Sequence, residues 1–478
     1  MPSKIPTLQM FRLGLFQLGL GIMSLLTLGL LNRVMINELA IPSTIAAGLI
    51  AIPLFVAPSR VWFGQLSDTK KLWGHHRSGY IWLGSLGFTF CAWLAVQVMW
   101  RLGESFYRSG WDGITIGWLA LLGLIFACYG LTLSMSSTPF AALLVDVTEA
   151  EERSQLVGVV WSLLMVGIVI GAITVSKIIG TPSESTPEII SIFSNPLQAE
   201  SLQRSVNQIF ILIPSIVVGL SFIATWGIES KYSRFSQRND QEEELIGLAR
   251  AIKVLTASRQ TAKFFIFLLC MTLGLFMQDA VLEPYGGEIF AMSIAQTTKL
   301  NAPYGIGTLL GISLSGFLIA PKIGKQNTAR LGCSSAIVAL LLLMVVGGTA
   351  NVNYLQGVVF LFGLASGITT TGAISLMLDL TLAATAGTFI GAWGLAQAVA
   401  RGLATLLGGI ALDSGRMLSP SPLVAYIFVF SLQIAMLGVA IAVLSQVNVR
   451  EFQETTKKAI VEVISSRCRM TTIPKVCH

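Results

Sequence analysis

The chain has 478 residues, of which 54 % are hydrophobic and 12 % are charged. Soluble domains carry about 25 % charged residues, so this composition excludes an ordinary soluble domain and predicts a multi-pass protein of the lipid bilayer. The net charge of +7 comes from loops and tails, where basic residues indicate membrane topology, and we expect no nucleic-acid partner. The cysteines show no ligand spacing, so we expect no metal site.

Apolar segments that are long enough to cross a bilayer predict about twelve transmembrane helices. They lie at 11–33, 43–66, 78–100, 113–145, 155–177, 206–228, 263–287, 300–320, 329–349, 354–378, 386–410 and 423–445. We therefore divide the chain into an N-terminal six-helix bundle (1–228), a cytosolic linker (229–262), a C-terminal six-helix bundle (263–445) and a cytosolic tail (446–478). Within the linker, 242–256 has apolar residues at helical spacing, which predicts an amphipathic surface helix; a plain connection is the alternative.

Lysine and arginine are concentrated on one side of these spans. Cytosolic loops carry the basic excess in membrane proteins, so both termini are predicted to be cytosolic. On this topology the outer loops carry the remaining cations: Arg33, Arg101, Arg108, Lys177, Arg204, Lys299 and Arg416.

A short motif occurs once in each half of the chain. Asp146 and Thr148 form the first copy, and Asp379 and Thr381 form the second at the same spacing. Each copy lies where the fourth span of its half turns into the fifth. Together with the equal number of spans on each side, the motif predicts an all-α fold of two pseudo-repeated bundles, as in transporters with repeated halves.

The loop after the second span contains Gly64, Asp68 and Arg77. It resembles the signature loop of the major facilitator superfamily, a Gly-x-Leu-x-Asp sequence followed by glycine and basic residues. We interpret Gly64 as permitting close helix approach and an Asp68–Arg77 pair as a conformational latch; a solvated charged loop is the alternative. The corresponding second-half segment, 316–320, lacks the acid, so the latch is expected on one side only.

Four ionisable residues inside the predicted spans stand out: Arg60, Asp279, Glu283 and Arg401. Such residues are costly in hydrocarbon and often functional, so we predict that they face an internal cavity. Arg60 lies near the cytosolic end, where an arginine can also snorkel to the surface. Asp279 and Glu283 are four residues apart on one helix face, and Arg401 is predicted to pair with either acid, unless both acids merely reach the outer water.

The end of the seventh span contains Pro284, Gly286 and Gly287. Proline interrupts a helix and paired glycines permit an unusual turn, so a broken helix end is predicted there.

That last stretch, 278–287, resembles the PucC family, or bacteriochlorophyll delivery family, a branch of the major facilitator superfamily. Further similar segments lie at 31–39, 58–64, 76–80, 138–146 and 391–394, and the resemblance is closest to cyanobacterial members. It implies a membrane assembly factor in a thylakoid or inner (cytoplasmic) membrane. Such a factor would deliver chlorophyll-type pigment to light-harvesting or photosystem apoproteins, or chaperone those apoproteins.

Chlorophyll magnesium takes an axial ligand, commonly a histidine nitrogen. The three histidines, His75, His76 and His478, all lie outside the spans. If chlorophyll is bound transiently inside the bundle, Asn32, Gln278, Glu283 or a water must therefore ligate it. The alternative function is a proton- or ion-coupled transporter of a small or lipid-like molecule, and no enzymatic motif is present.

Overall fold

The computed structural model describes residues 5–148, 150–179, 196–233, 259–379 and 386–447. These residues form helices joined by short turns, with one isolated β-bridge between Leu72 and His75. The predicted amphipathic helix at 242–256 and nearly all of the tail lie outside the described residues.

The described residues of the first half form eight helices. They are α1 (Thr7–Ser24, extended by π-helical Leu25–Leu31 and Val34–Glu38), α2 (Ser43–Phe55), α3 (Ser59–Thr69), α4 (Ser78–Ser109), α5 (Gly113–Asp146), α6 (Ala150–Ile179), α7 (Pro196–Thr225) and α8 (Ile228–Tyr232). The second predicted span is thus divided into α2 and α3, and Pro58 precedes the first residue of α3.

The second half repeats this order. It contains α9 (Arg259–Phe276, followed by a 3-10 turn, Met277–Ala280), α10 (Leu282–Phe290), α11 (Ile294–Lys299), α12 (Asn301–Leu314, followed by π-helical Ser315–Ile319), α13 (Ala320–Ile323), α14 (Lys325–Gly347), α15 (Val352–Asp379), α16 (Ala386–Leu418) and α17 (Pro422–Leu444). Within the described residues, ten segments are long and apolar enough to cross a membrane. The second and eighth predicted spans are not among these ten, because each is divided into shorter helical segments. The predicted multi-span helical fold is confirmed.

Each half has its own hydrophobic core. Leu30, Phe88 and Phe210 belong to the first-half core, and Phe267, Phe362 and Phe430 belong to the second-half core. In each half, a hydrogen bond connects the last span to the start of the third span of that half. Glu229, after the sixth span, binds the start of the third span. Gln326, at the start of the ninth span, donates to the carbonyl of Leu444 at the end of the twelfth span (2.6 Å).

Glycines bring α12 and α15 into close contact. Gly307 and Gly311 face α15, and Gly363 and Gly367 face α12. A Cβ at any of these four positions would collide with a backbone oxygen of the opposite helix. Small residues spaced by four let helix backbones approach closely in membranes, where packing replaces the hydrophobic effect as the driving force.

The break in the seventh span is not where the sequence places it. The helix ends at Phe276, passes through the 3-10 turn and restarts at Leu282. Pro284 lies in the first turn of α10, where its missing N–H removes no helical hydrogen bond, so the prediction that it breaks the helix is wrong. Gly286 and Gly287 are helical and have no positive φ, so the predicted unusual turn is also wrong.

We expect Gly363→Ala to destabilise the protein by about 1–3 kcal/mol, because the added methyl group forces α12 and α15 apart. The measurement is thermal unfolding of the detergent-solubilised protein. Gly357→Ala on the same helix is the control, since a Cβ there meets nothing within 4 Å. Equal melting temperatures for the two variants would contradict this packing account.

Candidate functional site

Arg77 is the centre of a buried network in the first half, at the end that the predicted topology assigns to the cytosolic side. Its Nη1 lies 2.6 Å from Oδ1 of Asp68, and its Nε donates to Oδ2 of Asp146 at 2.9 Å. Nη1 also donates to the hydroxyl of Ser67 (2.6 Å). The side chains of Arg77 and Asp146 are each 5 % exposed. The Asp68–Arg77 pair predicted from the loop is therefore present, within a larger network.

Asp146 was singled out in the sequence only as half of a repeated motif. The structure places it at the last residue of α5, against the loop between α3 and α4. Thr148 follows and donates its hydroxyl to the carbonyl of Leu144 (2.6 Å). Asp379 is the last described residue of α15, and Thr381 lies outside the described residues. In the first half, the acid of the motif is a partner of Arg77.

Glu229 was missed by sequence reasoning. Its carboxylate accepts from the backbone amides of His76 (2.6 Å), Arg77 (3.1 Å) and Ser78 (2.6 Å) at the start of α4. Free amides at a helix start and the helix dipole both favour a carboxylate. Glu229 lies at the end of one span and caps the start of a span that is far away in sequence. No local sequence pattern therefore indicates this contact.

Gly64 does not have the role assigned to it. A Cβ at this position would meet Cγ2 of Thr138 at 3.6 Å, an ordinary van der Waals contact. The expectation that Gly64 permits close helix approach is therefore wrong, because the two helices are already far enough apart for a side chain.

Arg401 and Asp279 form an ion pair inside the second half. Nη2 and Nε of Arg401 donate to Oδ2 of Asp279 at 2.8 and 3.1 Å. The guanidinium also lies 4.4 Å from the ring centroid of Phe276. The Arg401 side chain remains 37 % exposed, so the pair borders an open part of the interior and is not packed on all sides.

Glu283 takes a different partner. Its Oε1 accepts from Nδ2 of Asn301 (2.6 Å), and its side chain does not share a helix face with Asp279. The expectation of one common face is wrong because the break at 277–281 separates the two acids. Arg60, the fourth predicted cavity charge, is exposed at the start of α3, and no described residue pairs with it.

The two halves are joined at the end opposite the Arg77 network, which is called the outer end because the predicted topology assigns it to the outer side. Glu288 binds Nη2 of Arg416 (2.5 Å) and accepts from Asn37 of the first half (3.3 Å). Asp413 accepts from the amides of Ser43 and Thr44 (3.2 and 2.7 Å), which begin α2. These contacts, opposite the Arg77 network, close the outer side of the molecule.

Arg33 belongs to the same closure. It donates to the carbonyls of Glu283 and Met292, both at 3.2 Å, and lies 3.6 Å from Glu38. Gly287 makes room for it, since a Cβ there would collide with the guanidinium. Arg33 and Arg416 were expected in outer loops; both instead lie in helical segments at the contact between the halves.

The candidate pigment ligands lie just below this closure. Asn32 donates from Nδ2 to the carbonyl of Ala280 across the halves (2.8 Å), and Gln278 and Glu283 flank that carbonyl in sequence. All three side chains are buried. A macrocycle would therefore reach them only after the halves separate at the outer end.

These features define a class of protein: a multi-pass membrane protein with the fold of major facilitator transporters. A bacterial homologue of the human lysosomal transporter Spinster, solved in an inward-facing and unoccupied conformation, aligns with a TM-score of 0.64. The alignment covers 94 % of this chain and 98 % of that one, at 14 % sequence identity. At this identity the likeness concerns the fold alone.

The family follows from the sequence match. Residues 30–452 match the PUCC protein family, so the chain belongs to it. A Rhodobacter capsulatus protein named "Bacteriochlorophyll synthase 44.5 kDa chain" is 30 % identical over 91 % of this chain and 94 % of its own. A Cereibacter sphaeroides protein named PucC is 27 % identical over 84 % of each chain. The predicted family is confirmed, and the greater closeness to cyanobacterial members stays a prediction.

Replacing Arg77 with Met should destabilise the protein by about 3–5 kcal/mol, because the buried carboxylate of Asp146 loses the guanidinium that binds it. Thermal unfolding in detergent measures the loss. Arg108→Met is the matched control: Arg108 pairs with Glu104 at 2.7 Å but is exposed, so its loss should cost less than about 1 kcal/mol. A similar melting shift in both variants would argue against the buried network.

Proposed function

We propose that this protein is a non-enzymatic membrane assembly factor, which handles chlorophyll-type pigment or chaperones the apoproteins of light-harvesting or photosystem complexes. The observation that carries the proposal is the match to the Rhodobacter capsulatus bacteriochlorophyll synthase chain over nearly the full length of both proteins. The proposed location is a thylakoid or inner membrane with both termini cytosolic.

The transporter-like fold supports a protein that handles pigment and does not synthesise it. Among the described residues, no group of three or more His, Cys, Asp or Glu side chains could hold a metal ion, and the polar groups that are brought together are ion pairs and helix caps. Such groups change partners when two halves rock against each other, and they do not provide a nucleophile with an adjacent base.

A surface contact for the pigment is proposed at His75. The His75 ring lies edge-on to Trp82 with centroids 5.5 Å apart, and Trp82 stacks on Trp226 at 5.6 Å. Trp226 is exposed, which suits a residue at the lipid–water interface. Glu229 lies 3.8 Å from Nδ1 of His75, on the opposite side of the imidazole from Nε2, the nitrogen that would meet a chlorin magnesium.

Affinity purification in mild detergent, followed by an absorption spectrum and subunit identification, tests the proposal. We expect chlorophyll-type absorption and antenna or photosystem subunits with the tagged protein. His75→Ala should lower the co-purified pigment severalfold. His76→Ala is the control, because the His76 Nδ1 already lies 3.2 Å from the carbonyl oxygen of Ser67. Purification of the intact protein with neither pigment nor these subunits would refute the proposed function.

An ion-driven transporter is the second candidate, and the interior Arg401–Asp279 pair favours it. A charge pair deep in a span is a common element of coupling-ion pathways. Proteoliposomes on a supported membrane should then give a transient current after a pH or sodium jump. The current should disappear in Asp279→Asn and persist in Glu104→Gln, which alters an acid on the outer surface. Equal currents in both variants would remove this candidate.

A further inference from the structure

Three buried side-chain oxygens at the junction of the two halves have no hydrogen-bond donor among the described residues. They are Oδ1 of Asn32, Oε1 of Gln278 and Oε2 of Glu283. Their residues are 1 %, 2 % and 5 % exposed. Buried acceptors in native proteins nearly always have a partner, and each one left without a donor is costly. Three such oxygens on residues at or beside the Asn32–Ala280 contact therefore point to a positively charged species that is bound among them.

The contacts on the page hold these residues together. Asn32 binds the carbonyl of Ala280, which lies between Gln278 and Glu283 in sequence. Gly29, one helical turn before Asn32, is so close to Glu283 that a Cβ there would collide with Oε1. The same Oε1 is fixed by Asn301, so Oε2 is the oxygen left for a ligand.

Glu283 has no ion-pair partner at contact distance among the described residues. Arg33 is the nearby cation, but Glu38 offsets it at 3.6 Å and its Nη atoms bind backbone carbonyls. Arg33 therefore acts on the Glu283 carboxylate only from a distance, and the hydrogen-bond partner of that carboxylate is the neutral Asn301. A buried carboxylate without an ion-pair partner is costly. One positive charge balances it, whereas a divalent ion would leave excess positive charge beside Arg33.

The backbone around the three oxygens is irregular. The segments 25–31 and 34–38 are π-helical, and 277–280 is a 3-10 turn. Broken helices free carbonyl oxygens from the regular ladder, and in transporters such segments coordinate small cations near the middle of the membrane. Neutral amide oxygens and carbonyls are hard ligands that suit alkali ions.

We infer that Asn32, Gln278 and Glu283 form a binding site for one small monovalent metal cation, with Na⁺ as the probe, between the first span and the broken seventh span. A proton on Glu283 is the competing occupant. It would supply one O–H donor to one amide oxygen, whereas a metal ion contacts all three oxygens. The site lies beside the hydrogen bonds from Asn32 and Arg33 to the second half, so its occupancy favours the closed outer end. The site uses the three residues that are also the candidate pigment ligands, but Na⁺ binding can be measured without pigment, so either proposal can fail alone.

Equilibrium binding of radioactive Na⁺ to the purified full-length protein, at constant ionic strength with choline chloride, tests the site. We expect saturable binding of one ion per chain and a rise in melting temperature with Na⁺ concentration. Glu283→Gln should weaken Na⁺ binding more than about tenfold, and Gln278→Met should weaken it severalfold. Glu104→Gln is the matched control, because Glu104 pairs with Arg108 at the surface (2.7 Å), and it should bind Na⁺ within about threefold of the unchanged protein.

Three outcomes would overturn the site. The first is the absence of saturable Na⁺ binding to the unchanged protein, which would assign the oxygens to water or a proton. The second is Na⁺ binding by Glu283→Gln as tight as that of the unchanged protein, and the third is loss of binding in Glu104→Gln alone. If Glu283→Gln does not fold, Glu283→Asp keeps the charge but withdraws the oxygen, and unaltered Na⁺ affinity in that variant would equally count against the site.

Discussion

Charges that leave water for the interior of a membrane protein must find opposite charges or hydrogen-bond partners within the protein, because hydrocarbon offers none. This constraint determines where the polar residues of the chain lie. Arg77 is enclosed by Asp68 and Asp146, Arg401 binds Asp279, and Arg416 binds Glu288. The apolar helices are long enough to cross the membrane. The polar pairs connect particular helices to each other.

The network around Arg77 and the contacts at the outer end have different roles. Asp68, Arg77 and Asp146 all belong to the first half, so the network around the signature loop fixes the ends of helices within one bundle. The contacts of Arg33, Arg416 and Asp413 run between the halves. Opening the outer side therefore requires breaking the second set, while the first set can stay intact as a rigid body moves.

Much of the fold could be predicted because a membrane helix leaves a strong local signal: a long apolar run. The Asp68–Arg77 pair was also predictable, since both residues lie in one short loop. Long-range partners were not. Glu229 reaches α4 and Asn301 reaches Glu283 through the packing of separate spans. Pro284 led to a wrong position for the helix break. Proline is unfavourable inside a helix but is tolerated in the first turn, so a proline can lie after a break as well as at one.

The glycines also show that a local sequence motif and a close tertiary contact are different things. Gly64 belongs to a recognisable motif yet has ordinary space around it, whereas Gly363 belongs to no motif noted in the sequence and lies against the backbone of Tyr304. Only the crossing of two helices distinguishes these two environments, and that crossing is a property of the assembled bundle.

The caps supplied by Glu229 and Gln326 have a consequence for how the protein is built. Each ties the last span of a bundle to the third span of that same bundle, so each bundle closes upon itself. The covalent link between the bundles is then dispensable for these contacts. Two polypeptides made separately, one ending after Tyr232 and the other beginning before Arg259, would each keep the contact that closes its own bundle.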